Sequence, residues 1–169
     1  IIMATKRGVV KKTEFAAYNT KLRADGIIAL NLKSDEDELI GVTLTSGNDD
    51  LLLISANGQA VRFDESTVRS MGRTASGVAG MKLRDGDEVI SIDVARDDME
   101  LLLLTEQGFG KRSPVSDFPA KGRATMGVRA FGNIDGKGKL VSALAVREGQ
   151  GVMLITSEGT ITRQSVDQV

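Results

Sequence analysis

The apolar positions of the chain fall in short runs that return at a fixed interval. Ile1-Ile2-Met3-Ala4-Thr5-Lys6-Arg7-Gly8 is echoed by Leu51-Leu52-Leu53-Ile54-Ser55-Ala56-Asn57-Gly58, then by Leu101-Leu102-Leu103-Leu104-Thr105-Glu106-Gln107-Gly108 and by Val152-Met153-Leu154-Ile155-Thr156-Ser157-Glu158-Gly159. The glycines are spaced by 50, 50 and 51 residues, and a hydroxyl residue stands three positions before each of them. Such a block predicts a strand running into a tight hairpin, because the hydroxyl can bond the backbone across the turn and glycine supplies the positive φ that closes it. A more polar strand then leaves the turn. A second glycine follows 18 or 19 residues later, at Gly26, Gly77 and Gly127, preceded by Arg23, Arg73 and Arg123. A further apolar run with partial alternation begins 31 or 32 residues after the hairpin glycine, at Leu39, Val89 and Leu140.

Each unit is thus predicted to hold about four short strands, with repeats at 1–50, 51–100 and 101–151 and a partial fourth at 152–169. A fifty-residue unit of four strands buries its own faces poorly, so neighbouring units must pack radially or stack, as propeller blades do. A two-sheet sandwich has no need of such constant spacing. The predicted fold class is all-β, a propeller-like repeat present as a partial disc within a single domain.

Composition narrows the chemistry. The chain of 169 residues has neither Cys nor His, which excludes disulfides and thiolate zinc sites and removes the commonest general base at neutral pH. No apolar run approaches a membrane span, and the first residues lack the pattern of a signal peptide. A soluble cytoplasmic protein is expected, and residues that already read as strand at position 1 suit an excerpt of a longer chain.

The net charge of −1 does not by itself suggest nucleic acid. Its distribution does. The stretches 7–26, 57–77 and 107–127 carry twelve Lys or Arg against five Asp or Glu, whereas the connectors 27–50, 78–100 and 128–150 carry eight against fifteen. A cation stands four residues after each hairpin glycine, at Lys12, Arg62, Arg112 and Arg163. One basic band per unit is the footprint expected for a polyanion running along a rim. The candidate DNA contacts are Lys6, Arg7, Lys11, Lys12, Arg23, Arg62, Arg73, Lys111, Arg112, Lys121, Arg123 and Arg163. Strand parity limits them: Lys11 and Lys111 adjoin Lys12 and Arg112, so a regular strand sends the two sets to opposite faces.

Other motifs fail on spacing. Gly108-Phe109-Gly110-Lys111-Arg112-Ser113 lacks the pattern of a phosphate loop and is the third hairpin of the repeat. Gly132-Asn133-Ile134-Asp135-Gly136-Lys137-Gly138 reads as a turn. Neither of the acidic runs Asp35-Glu36-Asp37-Glu38 and Asp85-Gly86-Asp87-Glu88 supplies both the correctly placed glycine and the bidentate glutamate of a calcium loop, and both are expected to be solvated turns. Tyr18 has no acid, base or metal ligand recognisable around it.

With these residues in view, the chain resembles the C-terminal domain of the DNA gyrase A subunit over nearly its whole length. The likeness rests on the hairpins Thr5–Thr13 and Ser55–Phe63, on Ser70-Met71-Gly72-Arg73-Thr74-Ala75-Ser76-Gly77-Val78 with Gly80-Met81, and on Gly26-Ile27-Ile28-Ala29-Leu30. The resemblance implies a β-pinwheel of about six blades that exchange strands, with double-stranded DNA wrapped on its perimeter. It implies no cofactor in this segment, with ATP and Mg²⁺ used and strands passed elsewhere in an enzyme that includes the rest of gyrase A and gyrase B. One departure stands out. The family's first blade carries the box glutamine-arginine-arginine-glycine-glycine-lysine-glycine, needed for negative supercoiling, and none of the loops at Leu22–Gly26, Met71–Gly77 or Lys121–Gly127 is that box. Either that blade precedes residue 1 or the chain is of the related topoisomerase IV type; the regular repeats favour gyrase. A protein-binding propeller stays open, and a propeller hydrolase would need convergent carboxylates that the sequence does not offer.

Overall fold

The computed structural model describes residues 1–21, 23–132 and 134–169. Leu22, in the first of the loops just named, and Asn133, in the turn after Gly132, lie outside the described residues. The strands are β1 (Ile2–Thr5), β2 (Val9–Lys12), β3 (Leu39–Thr43), β4 (Asp50–Ser55), β5 (Gln59–Asp64), β6 (Val78–Ala79), β7 (Val89–Ala95), β8 (Glu100–Thr105), β9 (Gly110–Pro114), β10 (Val128–Arg129), β11 (Leu140–Val146), β12 (Gly151–Ile155) and β13 (Ile161–Ser165). The only helices among the described residues are single 3-10 turns, so none is long and apolar enough to cross a membrane.

The hairpins form as the repeat predicts. Gly8, Gly58, Gly108 and Gly159 have φ between 81° and 83°. In every copy the hydroxyl accepts the N–H four residues on: Val9 to Thr5 at 3.3 Å, Gln59 to Ser55 at 3.2 Å, Phe109 to Thr105 at 3.2 Å and Thr160 to Thr156 at 3.1 Å. The acidic runs are not merely solvated turns. Asp37 and Asp87 are buried, and each accepts a hairpin N–H, Arg7 and Asn57 respectively, at 2.9 Å. An unbonded amide at a buried turn is costly, so these two carboxylates complete the hairpins.

Sheet and repeat are offset. The first two sheets run β3-β1-β2-β6 and β7-β4-β5-β10, so the short strand of each repeat completes the sheet of the repeat before it. Val78 pairs with Val10, and Val128 pairs with Ala60. This is the strand exchange that the resemblance implies. The glycine that opens each donated arm makes it possible. A Cβ on Gly77 would lie 2.5 Å from the Val10 carbonyl oxygen, and one on Gly127 would lie 2.0 Å from that of Ala60. Gly26, at the same place in the first repeat, has nothing within 4 Å. The third sheet is β11-β8-β9 and the fourth is the β12-β13 hairpin alone.

Both faces of the second sheet are covered, which is why β4 is apolar from Leu51 to Ile54 rather than alternating. Leu51 and Leu53 join Ile2, Ala4 and Val10 in one cluster, while Leu52 and Ile54 join Leu101 and Leu103 in the next. The joint between the third and fourth sheets is thinner, with Leu102, Val146 and Val166 buried at its centre. Neighbouring sheets meet along β3, β7 and β11: the Ser91 hydroxyl donates to the Ala143 carbonyl at 3.0 Å, and the Ala145 N–H donates to Asp93 at 3.3 Å. The sheets converge on that edge. The donated arms therefore lie on the opposite, outer edge of the partial disc.

Candidate nucleic-acid interface

The cation four residues after each hairpin glycine sits on the second strand of its hairpin, and in the first three repeats it is turned toward the following repeat. Its first task is structural. Lys12 is paired with Glu65 of the second repeat at 3.1 Å. Arg62 lies 2.8 Å from Asp50 and 2.7 Å from Asp97, and one of its terminal N–H groups also donates to the Val115 and Phe118 carbonyls of the third repeat. Arg112 pairs with Glu100 at 3.2 Å and with Asp167 of the fourth repeat at 3.6 Å. These side chains are 12–22 % exposed. They clasp one blade to the next, so recurrence at this position has a structural cause beside the electrostatic one expected from the sequence. Arg163 holds the same position in the fourth repeat and is exposed, with no ion pair among the described residues.

Glu65 shows how completely a clasp can be satisfied. The carboxylate is fully buried. It accepts the Thr45 hydroxyl at 2.8 Å and the N–H groups of Gly47 and Asp49 at 2.9 Å each, in addition to Lys12. Burial by itself would raise its pKa, but the backbone, hydroxyl and ammonium bonds together outweigh burial and hold it below the ordinary carboxylate value.

Lys11 is also withdrawn from the surface. It is 1 % exposed, and its ammonium donates to the Ala29 carbonyl at 2.6 Å and to the Arg73 carbonyl. Lys111 makes the matching bond to Ala130 at 3.1 Å but remains exposed. Lys6 pairs with Glu38 and Glu88, and Arg7 pairs with Glu36, so the hairpin tip is charge-balanced. The strand parity read from the sequence thus sends Lys11 toward its own arm and Lys12 toward the next blade.

A different set of cations remains uncompensated. Arg23 and Lys121 are exposed with no side-chain partner among the described residues, as are Lys21, Arg69 and Arg129. Lys21 stands at the same repeat position as Lys121, thirteen residues after the hairpin glycine, whereas Arg69 and Arg129 escaped the search for recurrence because no equivalent cation repeats in the other units. Arg73 and Arg123 are half-buried and are held only by neutral carbonyls. Arg73 donates to Ile28 at 3.4 Å, and Arg123 donates to Thr67 at 3.1 Å and to Ala79 at 2.9 Å. All of these lie on the arms or the loops leading into them. Successive arms are stitched together: the Lys82 N–H donates to the Thr125 carbonyl at 2.9 Å, and the Asn31 side chain does the equivalent to Thr74 at 2.7 Å. Between the first two arms lies a hollow of about 270 Å³ lined by Thr20, Arg23, Arg73 and Thr74, among others.

The arm exchange and the fifty-residue period have a counterpart among known families. The model of the DNA gyrase C-terminal domain, a β-propeller, matches residues 1–46, 49–96 and 100–147. The chain belongs to this gyrase C-terminal domain family. The DNA gyrase A protein of Pseudomonas aeruginosa is 43 % identical over 169 residues, which is all of this chain and 18 % of that protein. The chain therefore spans less than a fifth of the length of that relative. Among solved structures, a C-terminal domain of DNA topoisomerase IV superposes with a TM-score of 0.92 at 30 % identity, covering 99 % of this chain and 52 % of that one. A DNA gyrase A C-terminal domain superposes with a TM-score of 0.87 at 24 % identity, covering 99 % and 56 %. The solved domain of the topoisomerase IV type is thus as good a match in shape as its gyrase counterpart, while the sequence relative and the family model both carry the gyrase name.

Proposed function

We propose that this chain binds double-stranded DNA along its outer, arm-bearing edge without sequence preference and bends it, as the DNA-wrapping part of a gyrase-type topoisomerase. One observation carries the reading. In each of the three longer repeats the arm loop holds cations with no carboxylate partner among the described residues, namely Lys21 and Arg23, Arg69 and Arg73, and Lys121 and Arg123, whereas Lys12, Arg62 and Arg112 on the hairpins are paired with carboxylates. Neutral carbonyl acceptors orient a guanidinium and leave its charge available to a phosphate. ATP use and strand passage would fall to other parts of the enzyme, in the remainder of gyrase A and in gyrase B.

Fluorescence anisotropy with two unrelated thirty-base-pair duplexes tests this. Six phosphate contacts, one for each loop cation, give a slope of about −5 for log affinity against log salt, the same for both sequences. A flat salt dependence overturns the reading and favours a protein-binding propeller. Bending some twenty to thirty base pairs costs on the order of 1–6 kcal/mol, which only contacts spread over successive blades can offset. Dyes on the two ends of the duplex should accordingly move closer as binding saturates.

A further inference from the structure

The two arginines that head the second and third arms stand at the same repeat position, four residues before Gly77 and Gly127, yet they are anchored differently. Arg123 is tied by its own guanidinium, through Nε to the Thr67 carbonyl and through a terminal N–H to the Ala79 carbonyl. Arg73 keeps only the second of these bonds, to Ile28, and at 3.4 Å it is long. Beside the Asn31 side chain on the Thr74 carbonyl and the Met71 N–H on the Lys12 carbonyl, the Arg73 loop is held by the buried ammonium of Lys11, which reaches the Arg73 main-chain carbonyl and at the same time the Ala29 carbonyl of the first arm. At the position of Lys11 the second repeat has Val61, also 1 % exposed, which offers nothing to the Arg123 loop.

Resting on the DNA reading above, we propose that Lys11 is a positioning residue for the DNA interface: by bonding the Arg73 carbonyl it fixes that loop through its main chain and releases the Arg73 guanidinium to bind a phosphate. Where valine replaces the lysine, the loop keeps its main-chain bonds, Ala124 N–H to the Gly80 carbonyl at 2.7 Å and Lys82 N–H to the Thr125 carbonyl at 2.9 Å, but the arginine adds two of its own and has fewer N–H groups left for a ligand. A guanidinium has five donors. Arg123 commits two of them to backbone carbonyls, and Arg73 commits one weakly. Two further features agree with a permanently internal role for Lys11. Burial, with the charge of Arg73 adding to it, holds its ammonium below the ordinary lysine pKa. Its position, at the meeting point of the first arm and the second arm loop, is closed to solvent.

The test compares Lys11→Val, Arg73→Gln and the double variant in the 169-residue chain. Val61 at the matching site shows that the fold accepts valine there, and a thermal melt checks each variant. Arg73→Gln should make the salt slope shallower by about one. Lys11→Val should do the same, and the double variant should go no further, since both changes remove one contact. If the slopes add to about two, Lys11 touches phosphate itself and the proposal fails; if Lys11→Val lowers only the melting temperature, the lysine is structural and the proposal fails. A second readout needs no DNA. In the unmodified chain the Nε–H of Arg123 should exchange slowly and that of Arg73 rapidly, and Lys11→Val should bring Arg73 into line with Arg123. Continued rapid exchange at Arg73 overturns the positioning role, whereas slowed exchange in a chain with no salt-dependent DNA affinity would overturn the DNA reading alone.

Discussion

Arg62 and Arg123 each extend a guanidinium across a junction between repeats, and their surroundings make them different devices. Arg62 lies between Asp50 and Asp97 and is 12 % exposed. Arg123 touches only the carbonyls of Thr67 and Ala79. A carboxylate partner cancels the charge and turns the cation into a joint; a carbonyl partner fixes its direction and leaves the field intact. On the outer edge, direction without cancellation is what a polyanion requires. Recurrence in sequence marks both kinds of residue and does not separate them.

The severest way to break this contrast is to displace an arm. Gly127→Ala adds a Cβ 2.0 Å from the Ala60 oxygen at a φ of 70°. Combined clash and left-handed strain should cost about 4 kcal/mol and carry the Arg123 loop out of place. Gly26→Ala meets no neighbouring atom, so it should cost only about 1 kcal/mol. Urea melts of the two variants measure the difference, and equal losses would refute the account of the exchange.

Breaking a clasp comes next. Arg62→Met leaves Asp50 and Asp97 without their shared partner and, because water reaches Asp97, should cost about 1.5–2 kcal/mol in the same assay. Below its melting range the variant should keep the salt slope of its DNA binding. A slope shallower by about one would mean that Arg62 contacts phosphate after all.

Acid should open the first joint. The folded pKa of Glu65 lies below its unfolded value, so its contribution is fully present above the ordinary glutamate pKa and is lost as pH falls through the folded pKa. The urea midpoint should therefore decline below about pH 4.3. In Glu65→Gln the decline should be smaller, from a midpoint already reduced at pH 7. The smallest expected effect on stability is that of Lys121→Gln. This residue is exposed and unpaired among the described residues, so the melt should shift by less than about 0.5 kcal/mol. Its DNA salt slope should nonetheless become shallower by about one.

Much of the fold was legible because its signals are local. A hydroxyl, a glycine three residues on and an apolar run before them specify each hairpin within eight residues. The clasps were not legible, because their partners are far apart in the chain: Glu65 lies fifty-three residues from Lys12, and Asp167 lies fifty-five from Arg112. Parity separated Lys11 from Lys12, but only packing reveals that the Lys11 side is closed. Asp37 and Asp87 were read as solvated because an acidic turn ordinarily is, and their bonds to Arg7 and Asn57 cross about thirty residues. The proposed interface was half visible: Arg23, Arg73 and Arg123 follow from recurrence, as do Lys121 and its counterpart Lys21, while Arg69 and Arg129 have no counterparts to recur.

The donated arm also sets a timetable for synthesis. Val10 pairs with Val78, so the edge of the first sheet stays open until sixty-eight more residues have been made. At roughly 5–20 residues per second, a ribosome takes several seconds to supply them. For that interval the backbone groups of Val9 and Val10 offer a ready template to any other nascent strand. The second repeat inherits the same delay, since Ala60 waits for Val128, so the disc matures one blade behind the growing chain, and a slow stretch of codons within residues 59–77 would prolong the exposure.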